Sequence, residues 1–229
     1  YNLVNYFGRN MDNLLTGKFM GSQVLGYYNK AYQLMLYPVN YLTNVITPVL
    51  HPILSDYQKD EEYIYTKYLT VLKPLSIMGV FASAICVFCA EEIVLFLYGA
   101  NWIQTIPCVA ILGGSVWFQM ITSTCTSIFQ SLGESRLRLK SGIMYAIVQV
   151  LMIAWGVIMK DIRMLSILVA MSFVVRFFVE HYYLIHRAFK KSQAQFYMIF
   201  MPELFMTAAL SSVMFAVNRF MHIEYNFLS

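Results

Sequence analysis

The chain of 229 residues is 59% hydrophobic, 12% charged and carries a formal net charge of +4, with a mean hydropathy of +0.58. Soluble domains carry about 25% charged residues, so this composition excludes a water-soluble globular domain and points to a chain that meets lipid. No basic run has the density of a nucleic-acid footprint, which excludes nucleic acid as a partner.

The spacing predicts seven helical spans, at 1–17, 31–54, 71–97, 106–130, 137–159, 164–186 and 197–220, forming a single all-α transmembrane bundle over 1–229. The chain begins at Tyr1, inside a helical pattern and without a signal-peptide pattern. It is therefore expected to be the later half of a longer protein. On the first span Asn2, Asn5, Arg9, Asp12, Asn13 and Thr16 fall within an arc of about 100°. Leu3, Val4, Phe7, Met11, Leu14 and Leu15 occupy the opposite side. Lipid cannot satisfy Arg9 and Asp12, so this stripe is expected to face a bundle interior or a water-filled cavity. Arg9 and Asp12 are three apart and share a face. They are either a cation for a phosphate with its orienting or ion-coupling carboxylate, or a structural salt bridge. Lys18, at the outer end, reads as an interfacial anchor.

A short loop over 21–29 is expected next. The second span contains Pro38 and Pro48, which remove backbone hydrogen bonds and predict a kink, serving either gating or static packing. The mixed-charge loop 55–70 follows. The third span holds Cys86 and Cys89, read as small helix-face residues, and breaks near Glu91 and Glu92, read as solvated interface residues. On the fourth, Gln119, Thr122, Ser123, Thr126 and Gln130 form a second polar stripe, lining a cavity or bonding between helices. The sixth carries Arg176 and Glu180, four apart, as a second cationic contact or as an ion pair between helices. His181 and, on the last span, Glu203 are expected at the interface. Nine Lys and Arg residues flank the loops after the second, fourth and sixth spans, against four on the other side, which puts the first set in the cytoplasm.

Residues 5–21, Asn-Tyr-Phe-Gly-Arg-Asn-Met-Asp-Asn-Leu-Leu-Thr-Gly-Lys-Phe-Met-Gly, followed by Leu25 to Tyr32, Pro38 and Val45 to Pro52, resemble the start of the second lobe of bacterial Wzx-type polysaccharide flippases. These belong to the multidrug/oligosaccharidyl-lipid/polysaccharide exporter superfamily. Leu97 to Trp102 resembles the family's outer Gly-x-x-Trp turn, and Leu132 to Arg136 its cytoplasmic turn. Thr16 and His51 depart from the pattern. The resemblance implies a second six-helix lobe plus one further helix, with the N-terminal lobe missing from this chain. It implies a multi-pass protein of the bacterial cytoplasmic membrane that moves undecaprenyl-diphosphate-linked oligosaccharide by alternating access, with a proton or sodium ion as possible coupling ion. Substrate or cavity residues are then Arg9, Asp12, Asn5, Asn13, Arg176 and Glu180.

Two alternatives stay open. A multidrug or cation antiporter of the same superfamily wants an acidic, aromatic cavity. A membrane glycan polymerase or ligase wants long outer loops with carboxylates or His, and the outer loops here are short. No catalytic group, metal site or cofactor is expected, and no phosphate-binding Gly-rich loop is present in the sequence.

Overall fold

The computed structural model describes residues 12–55, 57 and 60–227, with side chains described except at 42–53, 55, 215 and 217–227. The described residues form helices in chain order. Helix α1 covers 12–20, and α2 runs Ser22–Ser55. Gly21 alone separates them, at a φ of 91° that favours glycine. The expected loop over 21–29 is therefore helical from Ser22, because its polar residues face the bundle end without breaking the backbone pattern. Helix α2 also continues through Pro38 and Pro48.

Helix α3 (Glu61–Phe88) begins ten residues before the expected start of the third span. Asp60 caps it, accepting from the Tyr63 N–H at 2.9 Å, and Glu61 and Glu62 favour the positive end of the helix. The break comes at Cys89, and α4 (Ala90–Tyr98) carries the exposed Glu91 and Glu92 in its first turn. A 3-10 turn (Ala100–Thr105) leads into the expected fourth span. That span is three short helices, α5 (Ile106–Gly113), α6 (Val116–Ser123) and α7 (Cys125–Ser131), with a bend of 52° between its halves. Helices α8 (Ser135–Ile158) and α9 (Ile162–His181) form a hairpin. A Cβ added at Gly156 would stand 2.9 Å from the Leu165 Cα, so the absence of a side chain there sets the close approach. The wide π turn Tyr182–Ala188 continues α9, and α10 (Gln193–Met198) and α11 (Met201–Phe227) complete the chain.

Two apolar cores stack along the bundle. One joins α2, the later part of α3, α5, α6 and the hairpin end of α8 and α9, around Tyr28, Met35, Leu112, Ile153 and Leu165. The other joins the start of α3 with α7, the end of α9 and α10, around Ile64, Tyr68, Phe129, Leu184 and Phe196. The loops expected to share the basic, cytoplasmic side thus gather at one end. There Lys191 pairs with Glu62 and Lys190 with Glu61.

Seven spans were expected. Among the described residues four helices are long and apolar enough to cross a membrane, Glu61–Phe88, Ser135–Ile158, Ile162–Ala188 and Gln193–Met214, or five if the bent pair 100–113 and 116–131 is one span. Helix α2 has ample length at 34 residues, but its Asn, Gln, Tyr and Pro content keeps it less apolar. The fold is that of an all-α polytopic membrane protein.

Candidate functional site

Of the polar stripe on the first helix, Asn2, Asn5 and Arg9 lie outside the described residues. Asp12, Asn13 and Thr16 lie within them, and the structure buries Asp12 to 1% exposure. A carboxylate that deep requires donors. Two are supplied: the Tyr28 hydroxyl donates to Oδ2 at 2.9 Å, and the Asn13 N–H donates to Oδ1 at 2.8 Å. Tyr28 is fully buried on α2, 16 positions downstream, and the break at Gly21 lets the two helices fold back side by side. The Asn13 Oδ1 and Thr16 Oγ1 atoms are buried with no hydrogen-bond partner among the described residues.

From Tyr28 an aromatic relay reaches α9. The Tyr28 and Tyr32 rings lie 5.8 Å apart, and Tyr32 contacts Phe173 of α9 at 6.3 Å. On α8 the Tyr145 ring carries the Arg176 guanidinium at 5.0 Å. Arg176 Nε donates to Glu180 Oε1 at 2.7 Å, one turn along the same helix. That pair was expected to bridge two helices if structural; it is contained within α9. The structure therefore pairs Arg176 with Glu180 beneath Tyr145 and holds Asp12 against Tyr28. Sequence reasoning missed Tyr28, Tyr32 and Tyr145. The available signal was a tyrosine four residues from another on an otherwise apolar helix face, at a depth where the hydroxyl needs a partner.

Other candidates fall differently. Lys18 is exposed, over the Phe19 ring at 5.5 Å. His181 was expected at the interface, but it is wholly buried. Its Nδ1 lies 2.8 Å from the Phe177 carbonyl and its Nε2 3.1 Å from the Tyr68 hydroxyl, with Cys125 Sγ at 3.6 Å. A carbonyl only accepts, so Nδ1 carries a proton and the Tyr68 O–H donates to Nε2. The Phe177 and Phe196 rings pack on the imidazole at 4.4 and 5.1 Å. Glu203 was also expected to be solvated and is buried to 5%. The proposed stripe on the fourth span does not run continuously, because the helix is broken. Thr122 and Ser123 donate to the Phe118 and Met120 carbonyls of their own turns, while Gln119 donates to Met35 Sδ at 2.9 Å. All four cysteines are free, and no cluster of three or more His, Cys, Asp or Glu that could hold a metal occurs among the described residues.

The Trp102 turn closes the opposite end. Trp102 meets Tyr27 edge-on at 5.7 Å and Tyr98 at 5.9 Å, and Lys30 Nζ sits over both the Tyr98 and Trp102 rings.

A multi-pass, all-helical membrane protein with paired charges buried among its helices is the class these features define. Comparison with known proteins narrows it. The family described as "Polysaccharide biosynthesis protein" matches residues 1–107. Teichuronic acid biosynthesis protein TuaB of Bacillus subtilis (strain 168) is 29% identical over 110 residues, 48% of this chain and 23% of that protein. Lipopolysaccharide biosynthesis protein WzxC of Escherichia coli (strain K12) is 27% identical over 110 residues, 48% of this chain and 22% of that protein. An uncharacterized membrane protein in the cps region of Klebsiella pneumoniae is 21% identical over 138 residues, 60% of this chain and 28% of that protein. The matches thus span about a quarter of the length of these relatives. No solved structure matches. The similarity to polysaccharide biosynthesis proteins thus lies in the first half of the chain.

Proposed function

We propose that this chain is part of an exporter that moves a lipid-linked oligosaccharide across the cytoplasmic membrane during polysaccharide biosynthesis, by alternating access rather than by catalysis. The observation that carries the reading is the Asp12 carboxylate, buried on the segment that matches the polysaccharide family and held by the Tyr28 hydroxyl, with the largely buried Arg176–Glu180 pair further along the chain. Asp12, Arg176 and Glu180 together supply one cation and two carboxylates, so their charge alone does not attract a diphosphate. Arg9, three residues before Asp12 in the sequence, supplies the balancing cation, and its planar guanidinium suits a phosphate oxygen pair. Asn5 and Asn13 add neutral hydrogen-bonding groups to the same stripe. Asp12 orients Arg9 in one state of the carrier and takes a coupling proton or sodium ion in another. Arg176, already committed to Glu180, becomes a second anion contact only when that pair opens.

The reading is tested by the leaflet distribution of lipid-linked oligosaccharide in cells lacking the full-length gene. Accumulation on the cytoplasmic leaflet, with loss of surface glycan, supports it. An unchanged distribution with raised sensitivity to cationic drugs supports the antiporter reading instead. In the complemented strain, Arg9→Ala is expected to abolish surface glycan while the protein still accumulates in the membrane, and normal export by that variant removes Arg9 from the mechanism.

A further inference from the structure

A cavity of about 260 Å³ lies between α3, α6 and α11, away from the Asp12 face. Its walls include Val80, Ala84, Val87, Trp117 and Phe118, and Glu203 of α11 lines it. Glu203 is 95% buried by its 5% exposure, and its Oε2 has no hydrogen-bond partner among the described residues. Three of the four side-chain donors that line the cavity are committed elsewhere, and the fourth, Ser211, lies eight residues beyond Glu203 on α11. Ser83 donates to the Gly113 carbonyl at 2.7 Å, the Trp117 indole to Ser76 Oγ at 3.0 Å, and Thr207 to the backbone carbonyl of Glu203 at 2.7 Å. None of the ion pairs among the described residues involves Glu203. A buried carboxyl oxygen with no donor is a costly arrangement in an apolar span, and it persists where something else supplies the missing partner.

We propose that this cavity is a binding site for a small lipophilic organic cation, a tertiary or quaternary ammonium with apolar substituents. The volume sits just under the range of about 300–1,000 Å³ typical of drug-sized pockets, which sets the ligand at fragment size. The carboxyl group supplies the counter-charge, and the Trp117 and Phe118 rings offer the π faces that ammonium groups favour. Next to Glu203, Leu204 and Phe205 are 59% and 72% exposed on the outer side of α11. A ligand entering past them comes from the bilayer, which selects an apolar cation over a hydrated metal ion. The site is separate from the oligosaccharide reading and stands or falls without it.

The test is calorimetric titration of the intact purified protein in detergent with benzyltrimethylammonium. Saturable binding is expected, weakened by about tenfold or more in Glu203→Gln, which keeps the shape and removes the charge. Ala84→Phe, which fills the cavity and leaves the carboxyl group in place, is expected to abolish it. Each variant's thermal unfolding is recorded in parallel. Equal affinity in Glu203→Gln overturns the proposal, as does the absence of saturable binding to the unaltered protein. Should Glu203→Gln fail to fold, unchanged binding in a folded Ala84→Phe variant overturns it equally.

Discussion

Replacing Tyr28 by Phe deletes one oxygen from the centre of the bundle and almost nothing else. The ring stays, so its packing on Tyr32 and its place in the core are retained and no cavity opens. What is lost is one of the two donors to a carboxylate that is 99% buried by its 1% exposure. Hydrogen bonds to charged groups contribute about 1.5–3 kcal/mol in soluble proteins, whereas interhelical bonds within membranes average about 0.6 and reach about 1.7 kcal/mol. A charged acceptor places this bond near the upper membrane figure, at about 1–2 kcal/mol. The assay is reversible unfolding of the intact protein in mixed micelles, run as a double-mutant cycle of Tyr28→Phe with Asp12→Asn. A coupling energy of about 1–2 kcal/mol is expected, with Tyr32→Phe as a control that leaves Asp12 its donor. A coupling indistinguishable from zero would refute the assignment of Tyr28 as the residue that holds Asp12.

Removing Arg176 by alanine strands Glu180, whose side chain is 5% exposed against 18% for Arg176. The partial exposure lowers the expected loss to about 2–3 kcal/mol, under the 3–5 of a fully buried pair, and Arg176→Met with Glu180→Met is expected to recover part of it in the same unfolding assay. Gly113→Val places a Cβ 2.6 Å from the Cys86 Cβ and 3.0 Å from its backbone carbon, so α3 and α5 must part; a loss of about 1–3 kcal/mol is expected, and a neutral result would show that the bend absorbs the clash. Tyr68→Phe leaves His181 Nε2 without its hydroxyl donor, at an expected cost of about 1 kcal/mol, measured against Tyr65→Phe, whose ring packs on Phe189 nearer the surface.

The helical class was legible because nearly every span is a run of apolar residues, and lipid tolerates few alternatives to a helix there. The polar stripe was legible because Asp12, Asn13 and Thr16 recur at helical spacing. Starts and breaks were less so. The sequence reading put a loop where α2 already runs from Ser22, since polar residues at a helix end look like a turn until packing is known. The division of the fourth span into three helices has no proline at its bends; the signal was the Gly113-Gly114-Ser115 and Ser123-Thr124 steps, weaker than a proline because a membrane helix also passes through such residues unbroken. The depth of His181 and Glu203 was illegible for a related reason. Each sits near a predicted span end, and what buries it is the inward turn of a neighbouring segment: the α10 aromatics for His181, and α3 and α6 for Glu203.

Glu180 and His181 are adjacent on α9, yet they engage different surroundings: Glu180 holds Arg176 beneath Tyr145 of α8, and His181 bonds Tyr68 of α3 beside Cys125 of α7. The helix is pinned to α8 through Arg176 and to α3 through His181, five residues further along. With side-chain tips about 5–6 Å from the axis, a 20° spin would shift each by about 2 Å, enough to break the His181–Tyr68 bond and to draw Arg176 off the Tyr145 ring, while the Arg176–Glu180 bond turns with the helix. Helix α9 therefore behaves as a keyed shaft that cannot turn in its housing. A turn of α9 would therefore have to take α3 and α8 with it, whereas the chain changes direction outside this group, at Gly21 and at the bend between α5 and α6.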